Sequence, residues 1–269
     1  MKSAIKFALC AVSLGLSCIA AAESNYQVVT VTDGGTISGT VRWSGAMPHR
    51  TTVAITKDVP VCDPESHKTR DLERLIVGEQ GGVANTVVFL KEISAGKAFD
   101  LPESRRFLNQ KECRYEPHIL LVPQGETLRM KSSDATLHTV HMDGAATYNL
   151  PFPFPNQVIT REMTNSGLVN VRCSGGHVWM NAEMMVVPHP YFAVTDESGN
   201  FTLTEVPRGE YEIAAWHEGW HLMREEQAFD VLTGRKISRP VFSEPVVSEK
   251  HVSVWQNGTA TVNFSLSEK

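Results

Sequence analysis

Short alternating runs closed by glycine or proline recur along this chain from residue 26 onwards, and nowhere between them does an apolar period of 3.6 persist for the length of a helix. Residues 26–32 alternate, Asp33, Gly34 and Gly35 turn, and 36–43 alternate again before Gly45. The same rhythm returns at 83–90, 118–122, 127–130, 158–163, 168–173 and 184–187, with turns such as Pro123-Gln-Gly125 and Asn165-Ser-Gly167 between them. Pro151, Pro153 and Pro155 exclude a regular helix or a central strand at 150–155, because proline lacks the amide donor and fixes its own backbone. Further strands are expected at 191–195, 201–203, 211–216 and 260–266, whereas the polar stretch 219–250 reads as loop. The expected class is all-β.

Organisation follows from what interrupts this rhythm. Residues 1–22 carry Lys2 and Lys6, an apolar run from Phe7 to Ile19 and three alanines ending at Ala22, the pattern of a cleaved secretory signal. A lipid anchor at Cys18 is disfavoured, since Gly15 stands where such sites want a larger aliphatic residue. The expected compartment is the periplasm or the exterior. No later run approaches the roughly 18 apolar residues of a membrane span. The net charge of −5 becomes −7 when the two lysines leave with the signal, which gives no nucleic-acid footprint but suits a basic redox partner. Residues 46–75, with Pro48, Pro60 and Pro64, form a long excursion, and a charged stretch within 94–112 marks a boundary.

Chemistry concentrates in one loop. Cys173, His177 and Met180 offer a thiolate, an imidazole and a thioether within eight positions, directly after a strand-like run. Thiolate and thioether select copper, imidazole suits it, and two histidines, a cysteine and a weak axial methionine make the electron-transfer geometry. The second histidine is expected from His138 or His141, which point to opposite faces of an extended strand. Export leaves Cys62, Cys113 and Cys173. With Cys173 as ligand the other two are free to form a disulfide that ties down the excursion; the competing reading pairs Cys173 and leaves a stray thiol. His118 reads as structural, His217 and His221 as surface residues, and Trp179 as packing over the loop.

The stretch 107–188 resembles a cupredoxin: a glycine turn, a strand, His138 followed by Thr-Val, then a Gly-Leu-Val strand ending in Cys173, with His177 and Met180 beyond. That resemblance implies His138, Cys173, His177 and Met180 as ligands of one copper ion. The flanks are similar to a transthyretin-like, carboxypeptidase regulatory-like sandwich, on Gly39-Thr-Val-Arg-Trp-Ser-Gly45, on 195–201 and on Val206-Pro-Arg-Gly-Glu-Tyr211. Together they imply a cupredoxin Greek-key sandwich (107–188) inserted into a second β-sandwich (23–100 and 189–269), the composite labelled methylamine-utilisation or plastocyanin-like. One departure stands out. Amicyanin-like loops have two residues between Cys and His, whereas here Ser174, Gly175 and Gly176 make three. That gap matches the second half of the dinuclear copper A loop, but Val169 occupies the place of its other cysteine, so one ion is expected.

The implied function is outer-sphere electron transfer with a cytochrome or dehydrogenase as partner, and no catalytic residues. A copper carrier or sensor is the alternative. A third reading, a binding module with a vestigial copper site, requires Trp43, Trp216 and Trp220 to form an exposed platform.

Overall fold

The computed structural model describes residues 26–47, 49–100, 102 and 106–268. The expected signal at 1–22, Cys18 and the start at Glu23 lie outside the described residues, as does part of the 94–112 boundary. The described chain is nearly all strand, with one short helix, Val59–Cys62.

Strands between 107 and 187 build one sandwich. One sheet runs Tyr148–Phe152, His138–Gly144, Gly167–Arg172, Asn181–Val187, Ile119–Pro123. The other runs Val158–Glu162, Thr127–Ser132, Phe107–Lys111, Arg114–Glu116. Alternation decides the faces. In Gly167–Arg172, Val169 and Val171 are buried while Asn170 is exposed, and Val171 lies opposite Ala182 and Val169 opposite Met184. These inward residues join Leu108, Leu128, Met130, Val140, Met142 and Phe152 in one core, where burial stabilises each large side chain by about 1.5–3 kcal/mol. The proline-rich strand Tyr148–Phe152 sits at the sheet edge, where Pro151 needs no second partner.

The flanking segments form a second sandwich with its own core of Ile37, Val41, Leu90, Tyr191, Phe201, Ile213 and Phe264. Val87–Leu90, which precedes the first unit in sequence, pairs between Phe192–Val194 and Gly209–His217, which follow it. The chain therefore leaves this sheet after residue 90 and re-enters it at 192. A third apolar cluster, Val87, Ile119, Met185, Val187 and Trp216, joins strands of both units.

Three expectations are corrected. Residues 219–250 are not loop: Leu222–Phe229 pairs with Lys236–Phe242, and Val246–Val254 pairs along the whole of Gly209–His217. Leu222–Phe229 is exposed at nearly every position and Lys236–Phe242 is nowhere fully buried, so the hairpin's sequence carries no apolar alternation to read. The single strand expected at 260–266 is two, Thr259–Thr261 and Phe264–Ser267, both parallel to Gly35–Ser44. Between them Asn263 Oδ1 accepts from Thr40 N (2.9 Å), a side chain standing in for the interrupted ladder. Trp43, Trp216 and Trp220 are 9, 7 and 6% exposed. They are core, so the aromatic-platform reading loses its residues.

Candidate metal centre

Strand pairing brings the separated histidine and cysteine together. His141 lies opposite Arg172, so the start of the His138 strand stands beside the end of the strand that feeds Cys173. Thr139 fixes the join: its hydroxyl accepts from Ser174 N (2.7 Å) and lies 3.5 Å from Cys173 Sγ. The loop then folds back, with Met180 N donating to His177 O (3.0 Å) and Cys173 N donating to Met180 O (3.2 Å). His138 Nδ1 is 3.3 Å from His177 Nδ1, and Cys173 Sγ is 3.5 Å from His177 Nδ1. The three ligand atoms lie within 4.8 Å of one another. All three residues are 0% exposed, and Met180 is 2% exposed on the same loop.

These separations suit a small ion. Donors at about 2.0–2.3 Å from a first-row metal, spread near 110–120°, stand about 3.3–3.7 Å apart. His141 is not brought to this cluster. It lies on the other face of its strand, where Nε2 is 2.8 Å from an Arg172 nitrogen. The parity of a strand separates the two histidines.

Both imidazoles present Nδ1 inward because a carboxylate holds each Nε2. Asp134 Oδ2 is 2.8 Å from His138 Nε2, and Asp58 Oδ2 is 2.9 Å from His177 Nε2. Asp134 also accepts from Glu112 N and Cys113 N, and Asp58 accepts from Thr136 Oγ1. Burial raises both carboxyls, but these bonds and the imidazoles outweigh it and hold each below the usual carboxylate range. Burial likewise pushes the Cys173 thiol up, yet hydrogen bonding from His138 and His177 brings it well below the ordinary value. That direction favours the thiolate, the form that binds metal.

Cys62 and Cys113 are joined by a disulfide, and both are fully buried. It connects the two carboxylates. Asp58 begins the helical turn that ends at Cys62, while Cys113 N donates to Asp134. The excursion thus reaches from the second sandwich over the loop, and Lys57 pairs with Asp230 (2.6 Å) of the segment joining the polar hairpin's strands. Gly176, with φ +89°, is where that pair approaches: a Cβ would stand 2.8 Å from Asp230 Oδ2. The extra glycine gives room for this contact.

Trp179 packs edge-on to His177 at 5.5 Å and donates to Cys113 O (3.1 Å). His118 is buried as the partner of Glu218. His217, expected at the surface, is 0% exposed beside them, because Arg74, His118 and Glu218 satisfy one another between the two units. Sequence reasoning missed Asp58, Lys57 and Asp230 as neighbours of the loop. Asp134, four residues before His138, was the one with a local signal.

An all-β protein with a soft, fully buried Cys–His–His cluster is the class that fold and site define. A family model for the second beta sandwich domain of a NOMO1-like BOS complex subunit matches residues 191–241. No curated protein matches the chain significantly. Among solved structures, a novel purple cupredoxin from Nitrosopumilus maritimus is 17% identical over 30% of this chain and 98% of its own, with TM-score 0.27. A reduced tryptophan-to-tyrosine mutant of amicyanin is 20% identical over 37% of this chain and 98% of its own, with TM-score 0.29. A copper-containing nitrite reductase from Thermus scotoductus is 17% identical over 36% of this chain, with TM-score 0.29, and the match spans 25% of that reductase.

Proposed function

We propose that this is an exported mononuclear copper protein that transfers electrons in the periplasm without reacting chemically with its partner. His138, Cys173 and His177 hold the ion, and Met180 is the weak fourth ligand. The observation that carries this reading is the ligand cluster itself: two inward Nδ1 atoms and a thiolate within 4.8 Å. Copper in such a set supplies a one-electron couple. The chain's own residues keep the ligands still. Asp134 and Asp58 fix tautomer and ring angle, Thr139 fixes the sulfur, and burial excludes water and substrate from the ion.

The turn of the polar hairpin lies against the Cys173 loop. Val231 N donates to Ser174 O (3.1 Å), and Val231 and Leu232 are 57 and 40% exposed. A redox protein such as a cytochrome or dehydrogenase docks there. A carrier or sensor must release its ion. That is the weaker reading, because His138, Cys173 and His177 have no exposure and Lys57, Asp58 and Asp230 lie over the loop.

A mediated redox titration of the copper-loaded protein separates the two. Electron transfer predicts a reversible one-electron wave with copper retained in both states; loss of the ion on oxidation supports the carrier instead. Asp58→Asn is expected to lower copper affinity about 10–100-fold in chelator competition, as loss of a carboxylate behind a ligating histidine does. His141→Ala is expected to leave affinity unchanged, and a large loss there would move the second imidazole from His138.

A further inference from the structure

His138, Cys173 and His177 have no exposure, so an ion reaches them only if part of the surrounding chain moves. Three parts of the chain cover them. One is the sandwich core that contains Cys173 and Met180, where Met130, Val140 and Phe152 are fully buried. Another is the turn that starts at Asp58. It is anchored by the buried Cys62–Cys113 disulfide and by Arg70, which donates to Cys62 O (2.6 Å) and Cys113 O (3.3 Å). The third is the tip of the hairpin formed by Leu222–Phe229 and Lys236–Phe242, and it is held by much less.

Among the described residues the two hairpin strands pair only with each other. Their root is fixed: Ser243 N donates to His221 O (2.9 Å), and the Arg74 guanidinium sits 4.3 Å over the Phe242 ring. Towards the tip the ribbon stands off the sheet, leaving a cleft of about 350 Å³ beneath residues 239–245. The tip itself is pinned at a few points. Asp230 pairs with Lys57 (2.6 Å), which also donates to Gly175 O (2.5 Å), and Val231 N donates to Ser174 O (3.1 Å). Leu232 rests where Gly175 leaves space, since a Cβ there would stand 2.9 Å from Leu232 Cδ1. Gly175 and Gly176 are thus the seat of the tip. A segment with few buried apolar contacts and hydrogen bonds near solvent is the one that opens at least cost.

We infer that this hairpin is a hinged lid over the metal centre, latched by the Lys57–Asp230 pair, and that an ion enters and leaves when the tip lifts from the Cys173 loop. The latch joins the lid to the disulfide-anchored excursion, so breaking it releases the weakly held side and leaves the anchored side in place. Closed, the lid keeps the ion through repeated redox turns; opening serves loading. The identity of the ion rests on the copper reading above, whereas the lifting of the tip does not.

Cys173, the one free cysteine among the described residues, reads the lid without any metal. The probe is dithionitrobenzoate, an aromatic disulfide that labels a thiol only once it is uncovered, applied to the metal-free mature chain. Lys57→Met and Asp230→Asn are each expected to speed labelling about tenfold, the weight of one charge-assisted hydrogen bond lost from the closed state, with thermal melts showing both folded. Lys91→Met, which breaks a surface pair with Glu212 and Glu249, is the control and is expected to change nothing. Unchanged labelling in both latch variants overturns the proposal, as does an equal gain in the control. Hydrogen exchange locates the motion: in the latch variants the Val231 amide is expected to exchange faster while those of Cys62 and Asp63, bonded to Asp58 O and Val59 O, stay protected. The reverse pattern would make the excursion the moving part and overturn the lid. In copper-loaded protein a latch variant speeds uptake and release together, whereas faster release alone would make the pair a support for the ligands and contradict the latch. A chain that labels as expected yet binds no copper refutes the copper reading and leaves the lid standing.

Discussion

Cys173→Ser is expected to abolish stoichiometric copper binding and all thiolate-to-copper absorption while leaving the fold intact. Cys173 is the one free cysteine among the described residues, and it supplies the anionic ligand of the cluster. Serine stays protonated at neutral pH and is a hard oxygen donor, so two imidazoles and a thioether remain, a set without the soft thiolate that favours copper. The new hydroxyl has partners waiting in Thr139 and the two imidazoles, so the stability cost stays near about 1 kcal/mol. Metal analysis after gel filtration, with a thermal melt alongside, checks both halves. Retained colour in the folded variant would place the metal elsewhere.

Removing the disulfide has the second large effect. Cys62 and Cys113 are 51 residues apart, and chain entropy alone assigns a closed loop of that size about 4 kcal/mol. That is a large share of a domain stability of roughly 5–15 kcal/mol. The Cys62→Ala, Cys113→Ala double variant is therefore expected to show a markedly lower urea midpoint. It is also expected to bind copper more weakly, because the bridge anchors the turn that starts at Asp58 and the amide that holds Asp134. Non-reducing peptide mapping of the native protein should find Cys62 joined to Cys113. An unchanged midpoint, or a free Cys62 thiol, would contradict this account.

What the sequence disclosed, and what it withheld, follows from range. The first sandwich was legible because Val169 and Val171 flank the exposed Asn170 and so declare the inner face of their strand, while Met184–Val187 reads as an apolar run buried on both faces. Cys173, His177 and Met180 were legible because they share one loop. His138 could be placed against His141 only to the extent that strand parity separates them; choosing between them needed the register in which His141 meets Arg172. Asp58 was invisible. It lies 119 residues from His177, in a polar excursion with no period, and nothing local ties it to an imidazole. The polar hairpin was hidden for the complementary reason, since one of its strands is exposed at nearly every position and the other is only half-buried, which leaves no apolar side to announce. His217 was misread as a surface residue because Arg74 and His118, which pair with its neighbour Glu218, come from two distant parts of the chain.

The most direct measurement is the visible and electron paramagnetic resonance spectrum of the mature protein loaded with one equivalent of copper. Ligation by His138, Cys173 and His177 with a weak Met180 predicts an intense thiolate-to-copper band and a narrow copper hyperfine splitting, both lost in Cys173→Ser. A colourless protein with the wide hyperfine pattern of ordinary nitrogen and oxygen ligation, unaltered by Cys173→Ser, would contradict it.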